Sequence, residues 1–275
     1  MNTAPRTATS DAFVDLGVLD CDLDDGIARR AAIGLLVLAT DQTMEYEFRR
    51  VLPADGIGLY EARLYNDAQI TNETLRAMRD LIAPATSLIL PGLPLDVVGF
   101  GCTSASMALG EETVFAEIRK ARPGIACTTP VTAAIAAFEA LGAGRVGVLT
   151  PYSREVNETV RAYLASRGVN VAAFATFDKQ DDLEAARISP ASIVQGIRSM
   201  ARRARLDAIF VSCTSLRLCD IVGEIEQDIG MPVTSSDHAL AWHCLRLAGV
   251  DDAVPNAGRL FATPLAAAAA RHARA

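Results

Sequence analysis

The sequence predicts an α/β protein made of two similar halves, each a parallel sheet with helices on both faces. Apolar stretches of strand length alternate with helical stretches along most of the chain, and this alternation is typical of parallel sheets. The tripeptide Cys-Thr-Ser occurs twice, at Cys102 and Cys213, each time after an apolar run. Cys102 follows Gly34 by 68 positions, and Cys213 follows Gly147 by 66. Cys213 lies 111 positions after Cys102, and Gly147 lies 113 positions after Gly34. A repeat of about this period indicates a duplicated domain rather than a solenoid.

The first half begins after residues 1–30, which we expect to form a polar N-terminal arm. Predicted strands cover residues 32–39, 57–64, 96–101 and 124–128, where apolar residues run together or alternate. Predicted helices cover residues 43–51, 71–81 with a second piece near Ser87, and 111–122. Thr71 and Thr74 have the spacing of a capping box, which places a helix start at Thr71.

The second half follows Pro130 with a helix over residues 131–141, which Gly142 and Gly144 are expected to end. Predicted strands then cover residues 145–150, 169–174, 208–212 and 231–234. Predicted helices cover residues 154–167, 190–205, 216–229 and 237–248, and the Ala-rich tail is expected to be helical up to His272. The polar residues 178–188 are predicted to form a loop.

The domain organisation follows from this duplication. We expect a first α/β domain formed by residues 31–130 together with 238–275, and a second formed by residues 131–237. The chain is 51% apolar but only 5% aromatic, so aliphatic side chains must supply most of the packing.

Composition excludes several classes of function. The net charge of -7 argues against a nucleic-acid surface. Lys120 and Lys179 are the only lysines, and both have exposed surroundings, which argues against a pyridoxal-phosphate enzyme. The first 15 residues lack the apolar core of a signal peptide, and no apolar run could span a membrane. We therefore expect a cytoplasmic protein with reduced thiols and no membrane partner. We also expect it to form a homo-oligomer.

The paired cysteines carry the chemistry. Cys102 and Cys213 each follow a predicted strand at a turn into a helix, where open α/β sheets bind ligands. A lone cysteine is most often a small buried hydrophobe, and we interpret Cys127, Cys219 and Cys244 in that way. Two thiols at equivalent places suggest instead an acid and a base, or a nucleophile and its proton donor. Backbone N–H groups at a helix start are expected to bind an anion and to lower a thiol pKa.

Five stretches carry a family resemblance: residues 34–53 (GLLVLATDQTMEYEFRRVLP), 94–106 (PLDVVGFGCTSAS), 141–157 (LGAGRVGVLTPYSREVN), 209–215 (IFVSCTS) and 232–249 (PVTSSDHALAWHCLRLAG). Through them the sequence resembles the Asp/Glu racemase superfamily, and within it the branch of maleate cis-trans isomerases and arylmalonate decarboxylases. The resemblance implies two Rossmann-like (flavodoxin-like) domains related by a pseudo-two-fold axis. It also implies an active site between them and no cofactor.

Residue roles also follow from the resemblance. Cys102 resembles the nucleophile of maleate isomerases, and Cys213 resembles the thiol that exchanges a proton. Tyr152 and Asn157 match side chains that hold a substrate carboxylate. The further predicted substrate-binding residues are Asp41, Gln42, Thr103, Ser104, Thr214, Ser215 and His238. Arylmalonate decarboxylases lack the first cysteine, so the pair favours an isomerase or racemase.

Two departures from the family pattern concern the substrate. Asp41 stands where maleate isomerases have Asn, and residues 235–238 read Ser-Ser-Asp-His instead of Ser-Ser-Asn-Gln. An aspartate beside a dicarboxylate would repel it unless the aspartate is protonated or paired with a cation. These changes suggest a substrate with an amine or amide. The Asp-Gln-Thr-Met-Glu-Tyr turn at residues 41–46 is similar to racemase-like proteins of ectoine-degradation clusters.

No metal site is expected. The acidic residues 20–31 fail the calcium-loop pattern at its sixth and twelfth positions. His238 and His243 lie five positions apart, which does not place both on one metal.

The sequence thus predicts a cofactor-independent isomerase or racemase that acts on a small carboxylate. Two alternatives remain open: a decarboxylase that uses Cys213 alone, and a non-catalytic small-molecule binding protein.

Overall fold

The structure is a computed structural model and describes residues 13–179 and 181–266 of the chain. Residues 13–30 lead to the first strand without a helix or strand of their own. The first half contains strands β1 (Ala31–Leu38), β2 (Ile57–Leu64), β3 (Val97–Phe100) and β4 (Ala126–Thr128), and helices α1 (Met44–Val51), α2 (Asn72–Ala77), α3 (Arg79–Ser87), α4 (Thr103–Leu109) and α5 (Glu111–Ala121). Helix α6 (Pro130–Leu141) leads into the second half, which contains strands β5 (Val146–Thr150), β6 (Val171–Thr176), β7 (Ala208–Val211) and β8 (Val233–Ser235), and helices α7 (Arg154–Ser166), α8 (Asp182–Ala185), α9 (Pro190–Arg203) and α10 (Val222–Ile229). Helix α11 (Ser236–Leu247) follows β8 and packs in the core of the first sheet.

Each half forms a four-stranded parallel sheet. The strand orders are β2-β1-β3-β4 and β6-β5-β7-β8, with every neighbouring pair parallel. The predicted α/β fold of two similar parallel sheets is therefore confirmed. Strands β3 and β7 hold equivalent places in the two sheets, so the loops that follow them leave equivalent carboxyl edges.

Local sequence explains where two helices begin and end. At the start of α2, Thr71 Oγ1 accepts a hydrogen bond from the Thr74 N–H, and Thr74 Oγ1 accepts one from the Thr71 N–H, which confirms the predicted capping box. Helix α6 begins with Pro130 after the Thr129 cap and ends at Gly142, which adopts a left-handed φ of 64°. Glycine reaches that conformation without the clash that a Cβ would cause.

Helix α6 contributes to the hydrophobic cores of both halves. One face packs with α11 in the first core through Ala133, Ala136 and Ala137. Other side chains enter the core of the second sheet, namely Val131, Ala134 and Phe138. Because one helix supplies both cores, the two halves are packed together rather than joined by a free linker.

Three elements differ from the sequence predictions. The predicted loop at 178–188 contains the short helix α8. Helix α10 begins at Val222 instead of 216, because the chain forms turns directly after the second Cys-Thr-Ser. The tail forms a 3₁₀ turn at Leu260–Ala262 and then no helix through residue 266, while residues 267–275 of the predicted tail helix lie outside the described residues.

Candidate active site

Cys102 and Cys213 line one cavity between the two halves. The cavity volume is ≈ 20 Å³, which is room for about one water molecule. Its lining residues are Leu38, Asn66, Asp67, Gln69, Ile70, Thr74, Leu75, Met78, Cys102, Thr103, Ser104, Tyr152, Asp182, Cys213 and Thr214. Each thiol residue is only 4% exposed. A wider and more open groove beside α9 is lined by no cysteine, so the candidate site is the enclosed cavity.

Cys102 caps the start of helix α4. Its Sγ accepts a hydrogen bond from the Ala105 N–H at 3.4 Å and lies 3.7 Å from Ser104 Oγ. The preceding Gly101 packs so closely that a Cβ there would come within 2.6 Å of the Leu36 carbonyl oxygen and 2.5 Å of the Met44 sulfur. The turn that aims the Cys102 thiol into the cavity therefore requires a glycine before it.

Cys213 has a different backbone setting, although its tripeptide is identical. No helix starts at this cysteine, and its Sγ accepts from the Ser215 N–H at 3.4 Å. The prediction that each cysteine stands at a strand-to-helix turn is correct for Cys102 and wrong for Cys213. The Tyr152 hydroxyl interacts with the Cys213 thiol and with Ser104, which connects the two Cys-Thr-Ser turns across the cavity.

The thiols do not have the lowered pKa that the sequence predicted. Burial raises the pKa of the Cys102 thiol to about 12 against the smaller lowering effects of the Ala105 N–H and Ser104, and Asp182 and Asp41 raise it further. Burial also raises the pKa of Cys213, again with a contribution from Asp182. Desolvation penalises the thiolate more than the few nearby donors stabilise it. Both groups are therefore neutral thiols at pH 7.

Asp182 is the site residue that the sequence analysis missed. It opens α8, is 7% exposed, and lines the cavity with both thiols. Its carboxylate accepts hydrogen bonds from Thr40 Oγ1 at 2.5 Å and from Ser215 Oγ at 2.6 Å. The residue lies in a polar stretch without hydrophobic periodicity, so no local pattern marks it.

Contacts between the halves hold α8 over the cavity. The Asp182 N–H donates to the Ala68 carbonyl at 3.1 Å, and Gln69 and Asp181 form an isolated antiparallel bridge. Nearby, Thr43 Oγ1 donates to the Thr214 carbonyl at 2.7 Å. The cavity is therefore assembled from segments that are more than a hundred positions apart in the sequence.

The structure brings some of the predicted substrate-binding residues to the cavity and not others. Thr103, Ser104, Tyr152 and Thr214 line it along with the two cysteines. The Asn157 amide instead donates to the Tyr152 carbonyl oxygen at 2.9 Å, while its own oxygen accepts from Thr150 Oγ1 at 2.6 Å. Asn157 thus positions the Tyr152 backbone without lining the cavity.

Asp41 and Gln42 also lie off the cavity wall. Gln42 is exposed. Asp41 is 5% exposed, and its Oδ1 accepts from the Thr43 and Met44 N–H groups, both at 2.8 Å, at the start of α1. Burial raises the Asp41 pKa to about 6, even though those two backbone donors lower it. Its carboxyl group therefore faces the first turn of α1.

His238 packs in the core, away from the cavity. Its Nδ1 lies 3.0 Å from Thr234 Oγ1, its Nε2 lies 2.8 Å from the Ala257 carbonyl oxygen, and its ring packs against Phe261. Burial lowers the His238 pKa to about 4. His238 is therefore a neutral side chain packed in the core, and the prediction that it binds substrate at the cavity is wrong.

Two negative findings apply to the part of the chain that the structure describes. Among residues 13–179 and 181–266, no group of three or more His, Cys, Asp or Glu side chains is arranged to hold a metal ion. In the same ranges, no helix is long and apolar enough to cross a membrane.

Comparison with known proteins connects this chain to a family of enzymes. A family model for arylmalonate decarboxylase matches residues 53–261. Arylmalonate decarboxylase of Bordetella bronchiseptica is 35% identical over 140 residues, which cover 50% of this chain and 58% of that protein. Maleate isomerase of Nocardia farcinica is 27% identical over 240 residues, which cover 83% of this chain and 94% of that protein. The structure of a mutant Nocardia farcinica maleate cis-trans isomerase with a covalently bound succinylcysteine intermediate matches with a TM-score of 0.75 and 25% identity, covering 84% of this chain and 98% of that chain.

Proposed function

This chain belongs to the arylmalonate decarboxylase family, and we propose that it is an isomerase that acts on a small carboxylate with two thiols. One observation carries the proposal: Cys102 and Cys213 line the same enclosed cavity from opposite halves. The resemblance to arylmalonate decarboxylases implies a catalytic role for Cys213 alone, because those enzymes lack the first cysteine. A pair of thiols therefore favours isomerisation, for which two groups must act on one substrate.

Two reactions fit a pair of thiols. In racemisation, one thiolate removes the proton on the substrate α-carbon, and the other thiol donates a proton to the opposite face. In cis-trans isomerisation, Cys102 first loses its proton to solvent. The Cys102 thiolate then adds to an alkene carbon while the Cys213 thiol protonates the neighbouring carbon and becomes a thiolate. Rotation about the new single bond and loss of the same proton and sulfur then release the other isomer.

The backbone donors beside Cys102 suit a developing negative charge. The N–H groups of Thr103 and Ser104 belong to the first turn of α4, where backbone donors lack intrahelical acceptors. Such donors stabilise a substrate carboxylate and the enediolate-like charge that both reactions create. The Ala105 hydrogen bond and the α4 N-cap position give Cys102 more support as a thiolate, so we assign it the base or nucleophile role.

The experiment is to compare thiol variants for deuterium incorporation from D₂O into a panel of amino acids, maleate and malonates. We expect Cys102→Ser and Cys213→Ser each to slow full interconversion by at least about a hundredfold, because serine does not ionise near neutral pH. Cys127→Ser is the matched control, since this buried thiol lies outside the cavity and a serine hydroxyl can also donate to the Ile125 carbonyl. Undiminished turnover in either cavity variant would falsify the paired-thiol mechanism.

A decarboxylase is the second candidate, favoured by the 35% identity to the Bordetella bronchiseptica enzyme. A lyase of this kind would release carbon dioxide from a malonate with Cys213 as the proton donor. Its distinguishing result is carbon dioxide release that survives Cys102→Ser and is lost in Cys213→Ser.

A finer proposal concerns the pathway. The similarity of residues 41–46 to racemase-like proteins of ectoine-degradation clusters supports a substrate from that route. The panel should therefore include diaminobutyrate derivatives. Rapid exchange with maleate and none with those derivatives would exclude this assignment.

A further inference from the structure

The cavity has negative charge and no positive charge among its described lining residues. Asp67 and Asp182 are the ionisable carboxyl groups on its wall, and no Lys, Arg or His lines it. Asp67 is exposed, whereas Asp182 is 7% exposed. The buried carboxylate is therefore the dominant fixed charge that a bound ligand meets.

No cation among the described residues neutralises Asp182. Both of its hydrogen-bond donors are neutral hydroxyl groups, those of Thr40 and Ser215. Within residues 13–179 and 181–266, Asp182 takes part in no salt bridge, and the nearby Lys179 pairs with Glu184 instead. Each carboxylate oxygen has two lone pairs, so one donor each leaves both oxygens able to accept another hydrogen bond.

The charge of Asp182 acts on the centre of the cavity. Its negative charge raises the pKa of both Cys102 and Cys213, in addition to the larger effect of burial. A ligand held between the two sulfurs lies in the same field. A second carboxylate there would be repelled at low dielectric constant, whereas an ammonium group would be attracted.

We propose that Asp182 selects a substrate that carries a protonated amine beside its carboxylate, and that it disfavours dicarboxylates such as maleate. The inference rests on the proposed function, because it assigns a substrate class to the same cavity. The substrate ammonium donates to the free lone pairs of Asp182. Burial is the main reason that both thiols are protonated, and a bound ammonium would offset the smaller contribution of Asp182, so the correct substrate would favour thiolate formation.

The test is calorimetric titration of the full chain with two sets of probes. The first set is 2-, 3- and 4-aminobutanoate, which vary the position of the amine at constant net charge. The second set is succinate and maleate. We expect at least one aminobutanoate to bind wild type about tenfold or more tightly than either dicarboxylate.

Two variants then test whether Asp182 causes this preference for aminobutanoates. Asp182→Asn should weaken that aminobutanoate by about tenfold and tighten succinate and maleate. Asp178→Asn is the control, since Asp178 is exposed, lies off the cavity, and has a left-handed φ of 53° that asparagine accepts. Its affinities should equal those of wild type.

Several outcomes overturn the inference. They are dicarboxylates that bind wild type as tightly as the best aminobutanoate, no binding by any aminobutanoate, or an Asp182→Asn variant with unchanged selectivity. If Asp182→Asn does not fold, the wild-type titrations alone decide. Efficient isomerisation of maleate that requires both thiols would overturn this inference while supporting the proposed function.

Discussion

Replacing Asp41 with asparagine should remove a pH-dependent loss of stability. The Asp41 carboxyl is buried, and its Oδ2 has no hydrogen-bond partner among the described residues. Asparagine can keep the Oδ1 acceptor that caps α1, because the Thr43 and Met44 N–H groups both donate to that atom. The substitution therefore removes the ionisable group with little change in packing.

The magnitude follows from the pKa of the carboxyl group. Its pKa rises from 3.8 to about 6 on folding. A folded-state pKa above the unfolded value means that stability is fully present below pH 3.8 and is lost as the pH rises through 6. The loss corresponds to about 3 kcal/mol when the group is ionised in both states. The free energy of unfolding of Asp41→Asn, relative to wild type, should thus increase by about 2–3 kcal/mol between pH 4 and pH 8.

Urea denaturation at pH 4, 5, 6, 7 and 8 measures this difference. The single tryptophan, Trp242, is fully buried and provides the fluorescence signal. Asp178→Asn removes an equal charge from the surface, and its effect should stay within about 0.5 kcal/mol. If the wild-type and Asp41→Asn stabilities run parallel across this pH range, the burial of an ionisable Asp41 is wrong.

Two further substitutions test the supports of the site. Asn157→Asp replaces the donor to the Tyr152 carbonyl with an acceptor. It should lower the free energy of unfolding in urea by about 1–3 kcal/mol and lower turnover. A fully stable and active variant would refute the positioning role of Asn157. Gly101→Ala would place a Cβ 2.6 Å from the Leu36 carbonyl oxygen and should lower the free energy of unfolding by about 1–3 kcal/mol. In the control Gly144→Ala, the new Cβ meets only an Asp207 oxygen at 3.5 Å, so the stability should be nearly unchanged. Equal melting temperatures for the two variants would contradict the crowding at Gly101.

Most of the secondary structure could be predicted because its signals are local. The predicted strand at residues 57–64 coincides with β2, and the Thr71 capping box and the Gly142 helix end appear as expected. Each depends on a few neighbouring residues and their backbone preferences. The late start of α10 was missed because apolar residues after Cys213 look helical in sequence, although the chain forms turns there.

The candidate site could be predicted where the repeat or the family resemblance marked it. Cys102 and Cys213 follow the equivalent strands β3 and β7, and Tyr152, which the resemblance indicated, follows β5. The structure brings all three to one cavity. His238 follows β8, yet its side chain turns to Ala257 and Phe261, because the tail covers that end of α11. The direction of a side chain at a helix start depends on such distant packing.

The sequence by itself determined that two thiols follow equivalent strands of a duplicated α/β fold, because periodicity and repetition are properties of the chain. Only the tertiary structure decided that both thiols are desolvated and protonated, and that Asp182 faces them without a cation. The reason is physical. A pKa and a local charge balance depend on which atoms exclude water and which charges face each other. Here those atoms come from segments such as Thr40, Asp182 and Ser215, which meet only when the two halves pack together.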